Sequence, residues 1–160
     1  MLGFAVNFLT DNNQEYTLDM SEELARSDAN NCFVCGPKNP VGLKVIFRLE
    51  GDVCYGEFTP SQDHGGYEGV THGGILFSVL DDVMANWLFL KGVRCYTGRC
   101  EIRYREPVPP GQLLRLESRL VNKKRAMVVM EGKAIRNETG KVVAEAKARF
   151  MVVDWGKNEL

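Results

Sequence analysis

The sequence has no long, unbroken apolar run. Its start, "MLGFAVNFLTDNN", carries an apolar patch without a basic flank or a cleavage-like site, and it is too short to span a bilayer. The expectation is a soluble, untargeted chain with no membrane partner. A strongly basic face is missing too. Twenty Lys and Arg stand against 21 Asp and Glu, for a net charge of -1. The best basic cluster, "NKKR" (Asn122 to Arg125), reads as a solvated turn, so no nucleic-acid partner is expected. The chain has no G-x-S-x-G elbow. It has no Walker or dinucleotide fingerprint either, and no cofactor is expected. Cysteine is present, but the count of five is odd. The five cannot all pair within one chain and their spacing suggests no disulfide framework, so reduced thiols in a cytoplasmic protein are the simpler reading. "CFVC" (Cys32 to Cys35) lacks the second pair that a four-thiolate zinc site needs. Cys54, Cys95 and Cys100 do not supply that spacing. The pair reads as a turn packed by small side chains, with no metal.

The 160 residues are 44% hydrophobic and 26% charged, an ordinary globular balance with room for one core. Residues 1–31 form an N-terminal extension, in which "SEELAR" (Ser21 to Arg26) has the composition of a short capped helix. Residues 32–160 form a single domain. It opens on a shaped loop, Asn31 to Gly42, with two prolines and two glycines. Leu43, Val45, Phe47 and Leu49 then share one strand face, Glu50 to Asp52 turn the chain, and Val53 to Phe58 return. After a glycine-rich loop comes the only long helical pattern, Ile75 to Leu90. Leu76, Leu80, Val83, Met84 and Trp87 gather there on one side, and Gly92 suits the stop.

Beyond the helix the pattern is strand upon strand. Cys100, Ile102 and Tyr104 alternate with charged residues, and Pro107 to Gly111 form a turn. Leu114, Leu116 and Leu120 mark the next strand, Ala126 to Ile135 another, and Asn137 to Gly140 turn the chain. The last strand buries Ala144, Ala146, Ala148, Phe150 and Val152, a small-residue face that admits a helix closely. Two strands, one long helix and four strands make an α+β fold, a helix against an antiparallel sheet of about five to six strands. The exposed sheet edges favour a dimer joined edge to edge.

The chemistry concentrates in "THGGILFSVLDD" (Thr71 to Asp82). On a helical wheel Asp81 lies in a mostly apolar strip beside the core face, near Gly74, Phe77, Ala85 and Leu88. Asp82 lies farther round, near Ser78 and Asn86, and reads as the more solvated acid. Asp81 is either a wet helix-edge residue bonded to a nearby donor or a carboxylate held in a dry pocket. In a dry pocket its pKa rises, which suits a general base or a nucleophile. The helix start adds unpaired N–H groups at the positive end of the dipole, unshielded at Gly73 and Gly74, a plausible oxyanion site. His72 reads as a substrate contact, a helix-start hydrogen-bonder or a loop anchor. His64 either meets substrate or braces its loop. Gly74 and Asp81 are separated by about 10 Å along the axis, too far to share one carbonyl. Two antiparallel helices in a two-fold dimer would bring Asp81 of one chain to Gly73 and Gly74 of the other, giving two shared sites.

These residues resemble the hotdog-fold thioesterases of the phenylacetate-pathway and acyl-CoA branch. The likeness rests on "HGGILFSVLDD" (His72 to Asp82), "CFVCGPKNPVGL" (Cys32 to Leu43) and "GRCEIRYREPVPPG" (beginning at Gly98), and runs over about residues 32 to 153. It implies a long central helix wrapped by a curved antiparallel sheet, a homodimer or a tetramer of such dimers, and an acyl-CoA substrate. It also implies hydrolysis to a carboxylic acid and coenzyme A, with Asp81 as base or nucleophile and the Gly73 N–H of the opposite chain polarising the carbonyl. The acyl tail would lie between the chains. His72 joins these two as a catalytic candidate, and Gly74, His64 and Asp82 are candidate substrate contacts. A dimer that binds acyl-CoA or an aromatic ligand without turnover, and a hydratase or dehydratase of acyl thioesters, are the alternatives.

Overall fold

The apolar stripes read from the sequence meet on one helix. In the computed structural model, which describes residues 28–156 together with Asn7–Phe8 and Tyr16–Thr17, the chain divides into two compact units, residues 1–44 and 45–160. The "SEELAR" segment lies outside the described residues.

In the first unit, strands β1 (Asn7–Phe8) and β2 (Tyr16–Thr17) pair antiparallel. The loop from Asn31 onward closes around Lys44, whose ammonium donates to the backbone oxygens of Gly36, Pro37 and Asn39. Lys44 takes a positive φ of 59° to do so. The Cys35 N–H points at the Cys32 sulfur, 3.5 Å away, inside that loop. None of the five cysteines is in a disulfide.

The second unit holds strands β3 (Phe47–Glu50) and β4 (Val53–Phe58), helix α1 (Gly73–Phe89), and strands β5 (Arg94–Tyr104), β6 (Leu114–Lys124), β7 (Met127–Arg136) and β8 (Val142–Asp154). The six strands form one curved antiparallel sheet in the order β3-β4-β6-β7-β8-β5. The α+β expectation and its strand count hold. Several boundaries differ: the helix starts at Gly73, two residues before Ile75, and β5 begins at Arg94, ahead of the alternation read near Cys100. The first long strand is shorter than its alternation suggested, because Lys44 breaks extended geometry before Phe47. The "NKKR" turn is only partly a turn: strand β6 runs on through Lys124, and the chain reverses at Arg125, at a positive φ of 52°.

All five predicted core positions of the helix, Leu76, Leu80, Val83, Met84 and Trp87, are buried, as is the alanine face of β8. Helix and sheet approach closely at Gly132 on β7, where an added Cβ would stand 3.1 Å from Met84 Cγ. A larger residue there would push the helix off the sheet. Two polar bonds fix the register of helix on sheet. The Ser118 hydroxyl donates to the Val83 carbonyl at 2.8 Å, and the Trp87 indole N–H to the Asp52 carbonyl at 2.9 Å. Both satisfy groups that burial would otherwise strand. The sheet ends on β5 as an edge strand, so the flank of α1 above β5 is only partly covered.

Candidate active site

That half-covered flank carries Asp81, and β5 supplies its partner. The pairing of β5 with β8 slips between Thr97 and Arg99, which makes Gly98 an extra residue in the strand. A bulge shifts the alternation by one. Cys95 and Thr97 before it therefore share the helix-facing side with Cys100, Ile102 and Tyr104 after it. The Thr97 hydroxyl lies 3.0 and 3.2 Å from the two Asp81 carboxylate oxygens and donates to them.

Burial raises the Asp81 pKa above the ordinary carboxylate value, and the Thr97 hydrogen bond pulls the other way, more weakly. The neighbouring thiols report the same environment. Cys95 and Cys100 are pushed up to about 11, first by burial and then by the Asp81 charge. They stand as neutral thiols beside the carboxylate. Of the two readings of Asp81 left open by the sequence, the residue combines both: a hydrogen-bonded helix-edge acid in a partly dry setting. Asp82, like Asp81, is half-buried. It accepts from the Asn86 side-chain amide at 3.0 Å, one turn on, and that amide also reaches the Asp82 carbonyl at 2.9 Å. Partners, more than exposure, separate the two acids.

At the other end of α1 the two glycines differ. His72 is the N-cap, and its Nδ1 accepts from the Gly74 N–H at 2.9 Å. Gly74 is thus already engaged, which corrects the expectation of two open amides. The engaged Nδ1 also leaves the ring proton on Nε2, so His72 faces outward as a donor rather than as a base at Nδ1. The Gly73 N–H has no hydrogen-bond partner among the described residues. Gly73 is held instead through its carbonyl, which accepts from the Tyr104 hydroxyl at 2.8 Å. Burial also raises the Tyr104 pKa, so the phenol is a dependable donor.

His64 faces its own loop. Its Nδ1 accepts from the Ser61 N–H at 2.9 Å, its ring lies 5.6 Å from that of Phe58, and its carbonyl accepts from the His72 N–H. Of its two readings, the contacts are those of the brace.

Thr97 and Tyr104 were not singled out from the sequence. Both lie on β5 and both touch the elements that carry Asp81 and Gly73. The available sign was Gly98, since a glycine inside a strand pattern often marks a bulge.

Comparison with known proteins identifies the family. Residues 71–160 match the thioesterase-like superfamily. No curated protein matches the sequence. Among solved structures, a thioesterase superfamily protein aligns with a TM-score of 0.68 at 24% identity; the alignment covers 74% of this chain and only 61% of that longer protein. A phenylacetic acid degradation-related protein from Ralstonia eutropha JMP134 aligns with a TM-score of 0.67 at 25% identity, over 84% of this chain and 100% of its own. A hypothetical thioesterase protein from Streptococcus pneumoniae TIGR4, solved with coenzyme A, aligns with a TM-score of 0.65 at 20% identity, over 69% and 89% of the two chains.

Proposed function

The chain belongs to the thioesterase-like superfamily, and from that premise we propose that it hydrolyses acyl-CoA thioesters to a carboxylic acid and coenzyme A. The observation that carries the reading is Asp81. It is a half-buried carboxylate with a raised pKa, held by one hydroxyl on the partly covered flank of the helix, above an edge strand. Such a group is a base near neutral pH and is oriented for attack. The coenzyme A bound to the Streptococcus pneumoniae protein supports the substrate class. Structures of that protein have been solved with an aspartate and with a threonine sixteen positions later each replaced by alanine. Asp81 and Thr97 are separated by the same sixteen.

The reaction needs an acid and an amide that one chain cannot bring together. Gly73 and Asp81 are about 12 Å apart along the helix axis. In a homodimer with antiparallel neighbouring helices, Asp81 of one subunit faces the Gly73 N–H of the other. Water adds to the thioester carbonyl while Asp81 takes its proton. The oxygen's developing charge falls on the Gly73 N–H. The carbon–sulfur bond then breaks, and coenzyme A leaves as the thiol with that proton. Direct attack by Asp81 gives an acyl-aspartyl anhydride instead, which water cleaves to the same products. Oxygen-18 from water entering Asp81 in a single turnover selects the second path. His72 Nε2–H acts as a donor toward substrate. The reading keeps the cytoplasmic setting expected from the cysteine count.

Thiol release from a series of acyl-CoAs tests the activity, since binding without release identifies a ligand-binding dimer instead. The shared site is tested by mixing two inactive variants, Asp81→Asn and Gly73→Pro. After subunit exchange each mixed dimer holds one intact site, so activity returns to about a quarter of wild type. No return of activity overturns the shared-site mechanism.

A further inference from the structure

The first unit carries a pair of cysteines that the proposed reaction does not use. Cys32 and Cys35 lie in one tight turn, both half-buried, with their sulfurs within 4.8 Å of each other. We infer that these two sulfurs bind a soft, thiophilic metal ion of the Cu(I) class as a pair of thiolates. Both ligands come from one loop, and the inference does not depend on the thioesterase reading.

The donor set points to the ion. Thiolates select soft ions such as Cu(I), and a monovalent ion of that kind is satisfied by two of them. The second cysteine pair that a four-thiolate zinc site needs is therefore not required. At a metal–sulfur bond of about 2.3 Å, two sulfurs on opposite sides of one ion stand about 4.6 Å apart, and closer in a bent unit. The pair in the turn is within reach of such a unit without refolding of the loop.

Backbone contacts hold the turn in shape. The Gly36 N–H donates to the Cys32 carbonyl at 3.0 Å and the Leu43 N–H to the Phe33 carbonyl at 2.8 Å. Gly36 admits no side chain, since an added Cβ would lie 2.4 Å from the Cys32 nitrogen and 2.6 Å from the Asn30 carbonyl oxygen. The turn also supports negative charge on sulfur. The Cys35 N–H donates to the Cys32 sulfur at 3.5 Å, a bond that strengthens when the sulfur is a thiolate. The Lys44 ammonium, on the carbonyls of Gly36, Pro37 and Asn39, sits against the same turn. Two thiols that release their protons to solvent and take up one monovalent cation are left with one negative charge, which the ammonium offsets.

A dithiol–disulfide couple is the competing use of such a pair. Its reactive thiol is commonly activated at a helix N-terminus. Neither Cys32 nor Cys35 lies in a helix or at the start of one; the backbone around them is a series of turns.

The test is a Cu(I) titration of the full chain, reduced and without oxygen, in competition with a chromophoric Cu(I) chelator. Wild type is expected to take one equivalent from the chelator. Cys95→Ser/Cys100→Ser, which removes the two thiols on β5, should take the same equivalent. Cys32→Ser and Cys35→Ser should each weaken that binding by more than the about 100-fold that loss of an outer-shell partner can cost. X-ray absorption at the copper edge should show two sulfur neighbours. If a serine variant fails to fold, wild type decides alone: one equivalent of Cu(I) should protect Cys32 and Cys35 from iodoacetamide, read by mass spectrometry, and no protection overturns the inference. Retention of the equivalent in Cys32→Ser/Cys35→Ser overturns it, as does tighter binding of Zn(II) than of Cu(I). So does a reduced protein that holds no Cu(I) yet closes a Cys32–Cys35 disulfide with oxidised glutathione, which makes the pair a redox switch instead.

Discussion

The two ends of α1 are held by one strand in opposite ways. At the Asp81 end, Thr97 grips the functional group itself, and the surroundings are dry enough to raise a carboxylate pKa. At the Gly73 end, Tyr104 grips the carbonyl on the far side of the residue and leaves the N–H open. An acid gains reactivity from partial burial with one restraining bond. An amide serves a developing negative charge by staying unpaired and aimed. The contrast shows how a single edge strand can restrain a carboxylate at one end of a helix and leave an amide open at the other.

The largest expected effect comes from breaking the dry end. Asp81→Asn should cut kcat by about 10³-fold, within the usual range for loss of a general base, as read by thiol release. The same variant should be more stable than wild type at neutral pH. The Asp81 pKa is raised on folding, so its ionisation opposes the folded state above that raised value. The penalty fades as pH falls toward the unfolded value of about 3.9. Urea midpoints for the two proteins should therefore differ at pH 7 and converge near pH 4. A variant that is inactive and also less stable at pH 7 would return Asp81 to a structural role.

Breaking the open end calls for a change that deletes only the N–H. Gly73 is the first helical residue, where proline is well tolerated, and His72 before it is already extended at ψ 133°, as a residue preceding proline prefers. The new ring would meet the Tyr104 hydroxyl, which stands 3.2 Å from an added Cβ, so that side chain must give by a few tenths of an ångström. Gly73→Pro is expected to cost about 10²-fold in kcat with KM and melting temperature little changed. A loss confined to KM would move Gly73 from transition-state stabilisation to simple binding.

A smaller change sharpens the dry end. Thr97→Val removes the one hydrogen bond that lowers the Asp81 pKa. The acid limb of the pH–rate profile should move to higher pH, and kcat at neutral pH should fall by about tenfold, the scale of a hydrogen bond to a charged group. A limb that stays in place would mean that another group sets it.

The smallest effect needs no substrate. Asp81's charge is the second cause holding the Cys95 thiol up near 11. In Asp81→Asn that thiol should titrate at a lower pH and react with iodoacetamide faster at a fixed pH, by mass spectrometry. An unchanged rate would place the carboxylate farther from β5 than the Thr97 bond allows.

Much of this was legible in one dimension. The repeat of apolar residues from Leu76 to Trp87 identified the buried face of the helix, and the same wheel set Asp81 beside it. The glycine pair marked the helix start, and strand alternation after Arg99 marked the sheet. These are local signals, since helix and strand periods depend only on neighbours a few positions apart. The dual role of β5 was not legible in that way. It needs the Gly98 bulge to rotate Thr97 under Asp81, and the alternation read from Cys100 to Tyr104 does not carry across a bulge.

The sequence alone therefore determined the elements and their apolar faces. Tertiary structure decided which partner each functional group received. It gave Thr97 to Asp81, the His72 ring to the Gly74 amide and Tyr104 to the Gly73 carbonyl, and it left the Gly73 N–H open. The physical reason is that periodicity encodes a direction from the backbone, whereas hydrogen-bond partners depend on strand register and helix placement, which are settled by packing among residues distant in the chain.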